Sequence, residues 1–137
     1  MKQRVPVSQI MAKVVIVITP NKKVSEAYQL LQEYDIRHIP VVEGTKLVGV
    51  ISKNDLTKVG YITKDMTEAA ILEIYSAYKV EEIMVKNPVS ITVDTNIKEA
   101  AEILAQQSFH SLPVTENGDV AGIITTTDLV KYLIDQY

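Results

Sequence analysis

Two stretches of the chain share one spacing of glycine, hydroxyl and carboxylate side chains. The residues are Gly49, Ser52 and Asp55 in the first stretch and Gly122, Thr125 and Asp128 in the second. An aspartate has two acceptor oxygens, so one side chain can accept both hydroxyls of a ribose. A hydroxyl group at a helix start lies where free backbone N–H groups attract phosphate, and glycine lets a ligand approach the backbone. This chemistry suits a nucleotide.

The same spacing also favours a purely structural role. Ser-x-x-Asp and Thr-x-x-Asp are close to the capping box that begins many helices. A capping box does not account for the glycine three residues before it. Nor does it account for two similar upstream sequences, Arg37–Val41 and His110–Val114. Because capping and ligand binding can share the same residues, the spacing alone leaves both interpretations open.

The two stretches belong to a longer internal repeat. A shift of 73 residues aligns 15 identical residues in 47 positions without a gap, where chance at ordinary composition gives about three. Ile10-Met11 aligns with Ile83-Met84, and Pro40-Val41 aligns with Pro113-Val114. Two copies of this length indicate a domain duplication rather than a solenoid.

Each copy has the pattern of a strand, a helix, two strands and a final helix. β-Branched and apolar runs predict the strands Val14–Thr19, Ile39–Val42 and Leu47–Ile51, and in the second copy Val89–Val93, Leu112–Thr115 and Val120–Ile124. Apolar stripes at helical spacing predict the helices, through Val24, Ala27, Tyr28 and Leu31 and through Ile97, Ala100, Ala101 and Leu104. Final helices are predicted to begin near Asp55 and Asp128. The fold class is therefore α/β (α+β), with two βαββα units whose small sheets pack together.

Residues 59–79 have no counterpart within the repeat and predict a helical linker. The stretch Lys58–Tyr61 indicates a break, and Asp65–Glu68 supplies residues typical of a helix start. An apolar stripe follows at Ile71, Ile74, Tyr75 and Tyr78. The stripe predicts packing against the repeat units, or alternatively a surface for a dimer or another partner.

Composition excludes several classes of protein. The chain has 137 residues, no cysteine and a formal net charge of −3, which excludes disulfides and argues against a non-specific nucleic-acid binder. The apolar run Val14–Ile18 is too short to span a membrane or to form a signal peptide. A cytoplasmic protein without nucleic-acid or membrane partners is expected. His38 and His110 have no second ligand at metal-binding spacing, so no metal site is predicted.

The conjunction of these motifs, in order and twice, resembles a stand-alone CBS-domain pair, also called a Bateman module. The resemblance covers residues 5–58 and 80–137, with the linker 59–79 between them. It implies pseudo-twofold packing of the two units, with two clefts that hold AMP, ADP, ATP or S-adenosylmethionine. It also implies a homodimer. No cofactor is expected beyond this regulatory ligand.

The resemblance also assigns roles to individual residues. Asp55 and Asp128 would hold ribose hydroxyls, and Ser52 and Thr125 would face ribose or phosphate. Other positions would reach the phosphate edge or wall the base, namely Arg37, His38, His110, Ser111, Ile16 and Val89. Position 88 is Pro but its counterpart is Val15, and Ser111 replaces the basic His38, so the two clefts are not expected to be equivalent.

Three functions are consistent with this resemblance. The first is a regulatory module that senses an adenosine-containing ligand and acts on a partner chain. The second is an adaptor with vestigial clefts that serves oligomerisation. The third, an enzyme, is disfavoured because no nucleophile–base pair, Walker loop or dinucleotide fingerprint is present.

Overall fold

The computed structural model describes residues 5–13, 15–108 and 110–137. Its helices and strands follow the predicted repeat and confirm a mixed α/β class. In chain order they are a 3-10 turn (Val7–Gln9), α1 (Val24–Glu33), β1 (His38–Glu43), β2 (Lys46–Ser52), α2 (Lys53–Leu56), α3 (Glu68–Tyr75), α4 (Val80–Ile83), β3 (Val85–Lys86), β4 (Ile91–Thr92), α5 (Ile97–Gln106), β5 (Ser111–Glu116), β6 (Asp119–Thr125) and α6 (Thr126–Asp135).

Both copies contain the predicted hairpin in the same register. β1 pairs antiparallel with β2, and β5 pairs antiparallel with β6, each with an irregularity after the fourth residue of its first strand. The turn between β5 and β6 consists of Asn117-Gly118, both with positive φ, as a tight two-residue hairpin turn requires. Gly44 supplies the positive φ in the first copy. β1 and β5 are buried along most of their length, while the ends of β2 and β6 alternate in burial, so the corresponding residues of both hairpins face the core.

The predicted helical stripes are the buried faces of α1 and α5. Val24, Ala27 and Leu31 are buried in the first copy, and Ile97, Ala100 and Leu104 in the second. Asn96 begins α5 with a reciprocal cap, because its side chain accepts from the Glu99 amide at 2.8 Å. Within the described ranges, no helix combines the length and apolar character needed to cross a bilayer.

The predicted first strands are much shorter than expected. Val14–Thr19 contains a single parallel bridge, Ile18 to Val41, and Val14 itself lies outside the described residues. Val89–Val93 is reduced to β4, which pairs parallel with β5. The physical reason is proline. The next bond of each parallel ladder requires an N–H group from Pro40 or Pro113, and proline has none.

Each compact unit combines one copy with the segment that precedes the other copy. Residues 16–88 form one unit, and Val89–Tyr137 forms the other with the described residues up to Val15. The connecting hydrogen bonds are the same in both units. Val7 N donates to Thr95 O at 2.8 Å, and its counterpart Val80 N donates to Lys22 O at 2.8 Å. Each Ile-Met segment thus packs on the copy other than the one that it begins, and the boundaries 5–58, 59–79 and 80–137 stay a prediction.

The motif glycines lie against these Ile-Met segments. A Cβ atom at Gly122 would lie 2.6 Å from the backbone oxygen of Ala12 and 2.7 Å from Met11 Sδ. A Cβ atom at Gly49 would lie 2.6 Å from Met84 Sδ. The approach of a ligand to the backbone of these glycines stays a prediction. Their missing side chains leave room for a methionine and its backbone.

The linker helix α3 packs against α1 in its own unit. Tyr75 of α3 is buried, and its ring centroid lies 5.1 Å from that of Tyr28 on α1. Thr67 caps the helix by accepting from Ala70 N at 3.1 Å. Ile71, Ile74 and Tyr78 pack against the same apolar cluster. The predicted stripe is thus a packing surface within this unit.

We expect Gly122→Ala to lower the free energy of unfolding by about 1–3 kcal/mol, because the new Cβ would overlap a backbone oxygen that has little freedom to move. Urea denaturation followed by circular dichroism measures the change. Gly44→Asn is the control, since its Cβ meets open space and asparagine tolerates positive φ. A Gly122→Ala protein as stable as the wild type would contradict the packing described.

Candidate functional site

Each motif lies at the junction between a hairpin and the helix that follows it. Ser52 ends β2 and caps α2, and Thr125 ends β6 and caps α6. The caps are reciprocal: the Asp55 amide donates to Ser52 Oγ at 3.2 Å, and the Asp128 amide donates to Thr125 Oγ1 at 3.1 Å. The capping interpretation is confirmed in both copies. The cap also fixes where each carboxylate can point.

Both oxygens of the Asp55 carboxylate accept hydrogen bonds from the protein. Its Oδ2 accepts from Ser52 N at 2.9 Å and from Ser52 Oγ at 3.0 Å. Its Oδ1 accepts from Lys58 Nζ at 2.9 Å in an ion pair. Asp55 is only 3% exposed. A ligand would have to displace existing partners to bind here.

The carboxylate of Asp128 has acceptor capacity left. Its Oδ2 accepts from Thr125 N at 2.9 Å. Across the described ranges, no protein group donates to its Oδ1, and the residue is only half-buried. Oδ2 is therefore held by the cap, while Oδ1 can accept a hydrogen bond from a ligand hydroxyl.

The residues predicted to reach a phosphate lie next to the caps. Arg37 O accepts from Lys53 N at 3.0 Å, and His110 O accepts from Thr126 N at 2.9 Å, so both residues are anchored beside a helix start. His38 pairs with Ser52 across the first hairpin, and Ser111 pairs with Thr125 across the second. The side chains of Arg37 and His110 are exposed, whereas Ser111 is buried. Each predicted cluster therefore forms within one unit.

Ile16 and Val89 precede the short parallel pairings. Ile18 forms a parallel bridge with β1, and β4 pairs parallel with β5. Ile16 and Val89, two residues before these pairings, are therefore on the side of the capped end of each hairpin. Pro40 and Pro113 cannot donate to the carbonyls of Ile16 and Val89. In the part of the chain that the structure describes, these two carbonyls accept no backbone hydrogen bond. They are acceptors without a partner near the motif.

Lys58 was missed by reasoning from the sequence. Its signal was present, because it lies three residues after Asp55, within reach for an ion pair. Lys131 occupies the same place after Asp128, so spacing alone could not say which lysine pairs. Among the described residues, no three His, Cys, Asp or Glu side chains come together as a metal-binding group.

Comparison with known proteins gives one consistent family. The family model for the CBS domain matches residues 7–72 and 80–135. Among solved structures, the CBS-pair protein CBSX2 of Arabidopsis thaliana superposes with a TM-score of 0.85 and 27% identity, covering 98% of this chain and 97% of that one. CBSX2 in complex with AMP has a TM-score of 0.84, 26% identity and coverages of 96% and 98%. The CBS domain pair of protein MJ0100, in complex with 5-methylthioadenosine and S-adenosyl-L-methionine, has a TM-score of 0.77 and 25% identity, with coverages of 98% and 100%.

The curated relatives differ in how much of their length this chain spans. An uncharacterised 17.7 kDa protein of Acidianus ambivalens is 30% identical over 94% of this chain and 73% of its own length. An inosine-5'-monophosphate dehydrogenase of Korarchaeum cryptofilum is also 30% identical, but the chain spans only 21% of that protein. The similarity to the dehydrogenase is therefore confined to a small part of it.

We expect Asp55→Ala to destabilise the fold more than Asp128→Ala. Each substitution removes a helix cap worth about 1 kcal/mol, but Asp55→Ala also removes hydrogen bonds to a buried charge, worth about 1.5–3 kcal/mol. Urea denaturation of both variants measures the difference. Asp65→Ala, at an exposed position, is expected to stay within about 0.5 kcal/mol of the wild type. Equal losses for Asp55→Ala and Asp128→Ala would show that the additional contacts of Asp55 contribute nothing.

Proposed function

The chain belongs to the CBS-domain family, and from this premise we propose that it is a regulatory module that binds an adenosine-containing ligand. The ligand is AMP, ADP, ATP or S-adenosylmethionine, and the bound state is passed to a partner chain. The observation that carries the proposal is the carboxylate of Asp128, which the cap holds in place with one oxygen left for a ligand. A ribose supplies two neighbouring hydroxyl donors, which a carboxylate can accept together.

Three neighbouring groups support a nucleoside at this position. The carbonyl of Val89 has no strand partner because of Pro113, so it can accept from the amino group of an adenine. The half-exposed side chain of Val89 offers an apolar contact for a base. Thr125 and His110 lie beside the start of α6, where a hydroxyl group and a basic side chain suit a phosphate. Ser111 adds a hydroxyl beside Thr125.

The ligands of related structures share one chemical part. CBSX2 was solved with AMP, and the MJ0100 domain pair was solved with 5-methylthioadenosine and S-adenosyl-L-methionine. AMP and S-adenosylmethionine differ in charge and in the group at the 5′ position, but both contain adenosine. Asp128 and the carbonyl of Val89 would bind the ribose and the adenine, which all of these ligands share. We therefore propose the class of adenosine-containing ligands rather than one member.

We propose that binding is regulatory and without turnover. The family model that matches the chain is that of the CBS domain, and the similar solved structures include stand-alone CBS-pair proteins. The activity of the dehydrogenase relative is not transferred, because the chain spans only 21% of it. A ligand shifts the equilibrium between two conformations of a protein only if it binds one of them more tightly. The proposed effect on the partner chain therefore requires that the adenosine ligand prefers one conformation of this protein. A cytoplasmic location is part of the proposal and is supported by composition alone.

An exposed apolar stripe on α6 supports a homodimer as a second part of the proposal. Helix α6 has no buried residue. Val130, Leu133 and Ile134 are exposed at helical spacing on its surface, and the exposed Tyr137 follows the end of the helix. A groove of about 930 Å³ lies between α5 and α6 and is lined by Leu133 and Tyr137, but not by the motif. The same surface on two copies can pack on itself around a twofold axis. The adaptor function, in which only this oligomerisation matters, is the alternative.

We expect adenosine ligands to bind at millimolar concentration or below and to stabilise the fold. At a ligand concentration one hundred times the Kd, binding adds about 2.7 kcal/mol of stability, which raises the Tm by several degrees. Asp128→Asn should weaken binding about 10- to 150-fold, because a hydrogen bond to a charged group contributes about 1.5–3 kcal/mol. A thermal-shift panel of AMP, ADP, ATP and S-adenosylmethionine, followed by calorimetric titration, measures both effects.

Guanine nucleotides serve as the ligand control, and Asp65→Asn serves as the protein control. Incubation with ATP also checks for turnover, and no sustained release of phosphate is expected. If none of the adenosine ligands raises the Tm, the regulatory proposal fails and the adaptor function replaces it. Unchanged affinity in Asp128→Asn would mean that the ligand binds elsewhere.

We expect the wild-type chain to sediment and scatter light with about twice its mass of 15.3 kDa at micromolar concentration. Leu133→Glu should produce a folded monomer, because it places a charge in the centre of the apolar stripe. Asp135→Lys, a charge change on a different face of α6, is the matched control and should leave the dimer intact. A wild-type monomer, or a Leu133→Glu dimer, would contradict the proposed interface.

A further inference from the structure

We infer that Lys58 occupies the carboxylate of the first copy in place of a ligand, so that each chain binds one adenosine molecule rather than two. The inference rests on the proposed function and adds to it the number of sites and the residue that sets this number. The two copies carry the same motif, and the difference between them lies in the contacts of one lysine.

The first copy has no acceptor oxygen left for a ribose. Two donors of Ser52 satisfy Oδ2 of Asp55, and the ammonium group of Lys58 lies 2.9 Å from Oδ1. The side chain of Asp55 is 5% exposed, while that of Lys58 is 58% exposed. A ribose hydroxyl could reach Oδ1 only by displacing the ammonium group, which would exchange an ion pair for a hydrogen bond from a neutral donor.

The early end of α2 places Lys58 over the carboxylate. The helix stops at Leu56, and Lys58 N donates to Asp55 O at 3.1 Å in a tight turn that brings the two side chains together. Gly60 follows with a φ of +68°, and a Cβ atom there would lie 2.2 Å from Ile74 Cγ2 of α3. The turn is therefore fixed by the packing of the linker helix and not by the motif itself.

The second copy lacks this arrangement although it has the same lysine. Lys131 aligns with Lys58 in the repeat, but it lies within α6, which continues to Asp135. Its side chain is exposed, and no ion pair with Asp128 is found in the described part of the chain. Oδ1 of Asp128 therefore stays available. The chain itself thus provides the matched pair of lysines that a test requires.

Removal of the Lys58 ammonium group should create a second site in the first copy. There Arg37 and His38 lie beside the cap, as His110 and Ser111 do in the second copy. Lys58→Met keeps the length and apolar character of the side chain but removes its charge and its donors. Ser52 would still orient Asp55, whose Oδ1 would then be open as that of Asp128 is.

Calorimetric titration with AMP, and in parallel with S-adenosylmethionine, tests the inference through stoichiometry. The wild type and Lys131→Met should bind one molecule per chain, and Lys58→Met should bind two. Asp128→Asn should weaken the wild-type site by about tenfold or more. The double variant Lys58→Met with Asp128→Asn should retain one site, now in the first copy. Circular dichroism confirms that each variant is folded.

The possible failures are distinct. If the wild type binds neither ligand, the proposed function falls and this inference falls with it. If the wild type binds two molecules, or Lys58→Met still binds one, the inference falls while the proposed function stands. If Lys58→Met weakens the wild-type site, Lys58 binds the ligand and does not exclude it, which also overturns the inference.

Amine reactivity tests the ion pair without any ligand. In reductive methylation with formaldehyde, read by peptide mass spectrometry, Lys58 should react about threefold or more slowly than Lys131, because its Nζ is held 2.9 Å from Asp55 Oδ1 and must leave that contact to meet the reagent. Asp55→Asn should remove the difference and leave Lys131 unchanged. Equal rates in the wild type would show that Lys58 does not hold Asp55 in solution, and the inference would fail.

Discussion

The reciprocal hydrogen bonds between a hydroxyl residue and an aspartate at the hairpin–helix junction are the constraint on which the candidate site depends. They tie the last residue of β2 or β6 to the first turn of the following helix, so strand and helix directions are set together. They also immobilise the carboxylate. A carboxylate held in place by its own backbone is preorganised to accept hydroxyl groups, since little freedom remains to be lost on binding.

A second constraint comes from the segments that precede each copy. Val7 and Val80 make the same hydrogen bonds in their units, and Met11 and Met84 lie over the motif glycines. Each hairpin therefore needs a segment from the start of the other copy to complete its unit. A βαββα repeat taken as a contiguous stretch lacks this segment. Folding of each unit therefore depends on the duplication, because one copy alone would lack the Met segment that packs against its motif glycine.

The copies differ where the chain leaves the second hairpin. In the first copy the helix stops after one turn, and α3 returns to cover α1 with Tyr75 against Tyr28. In the second copy the helix continues as α6, and its outer stripe remains exposed. This one divergence has two consequences. It brings Lys58 to Asp55, whereas no ion pair joins Lys131 to Asp128 among the residues that the structure describes, and it leaves an exposed apolar stripe on α6.

The sequence by itself determined the repeat, the hairpins, the helices and the reciprocal caps, because periodicity, turn residues and contacts three residues apart are local. It located Asp55 and Asp128 for the same reason. It overestimated the first strands, since their length depends on which strand faces Pro40 and Pro113. Only the tertiary structure decided that Met11 and Met84 fill the space beside the glycines, and that Lys58 pairs while Lys131 does not. Those outcomes depend on where segments distant in the sequence pack. Lys58 and Lys131 have the same spacing from their aspartates, so local sequence cannot show which of them forms the ion pair.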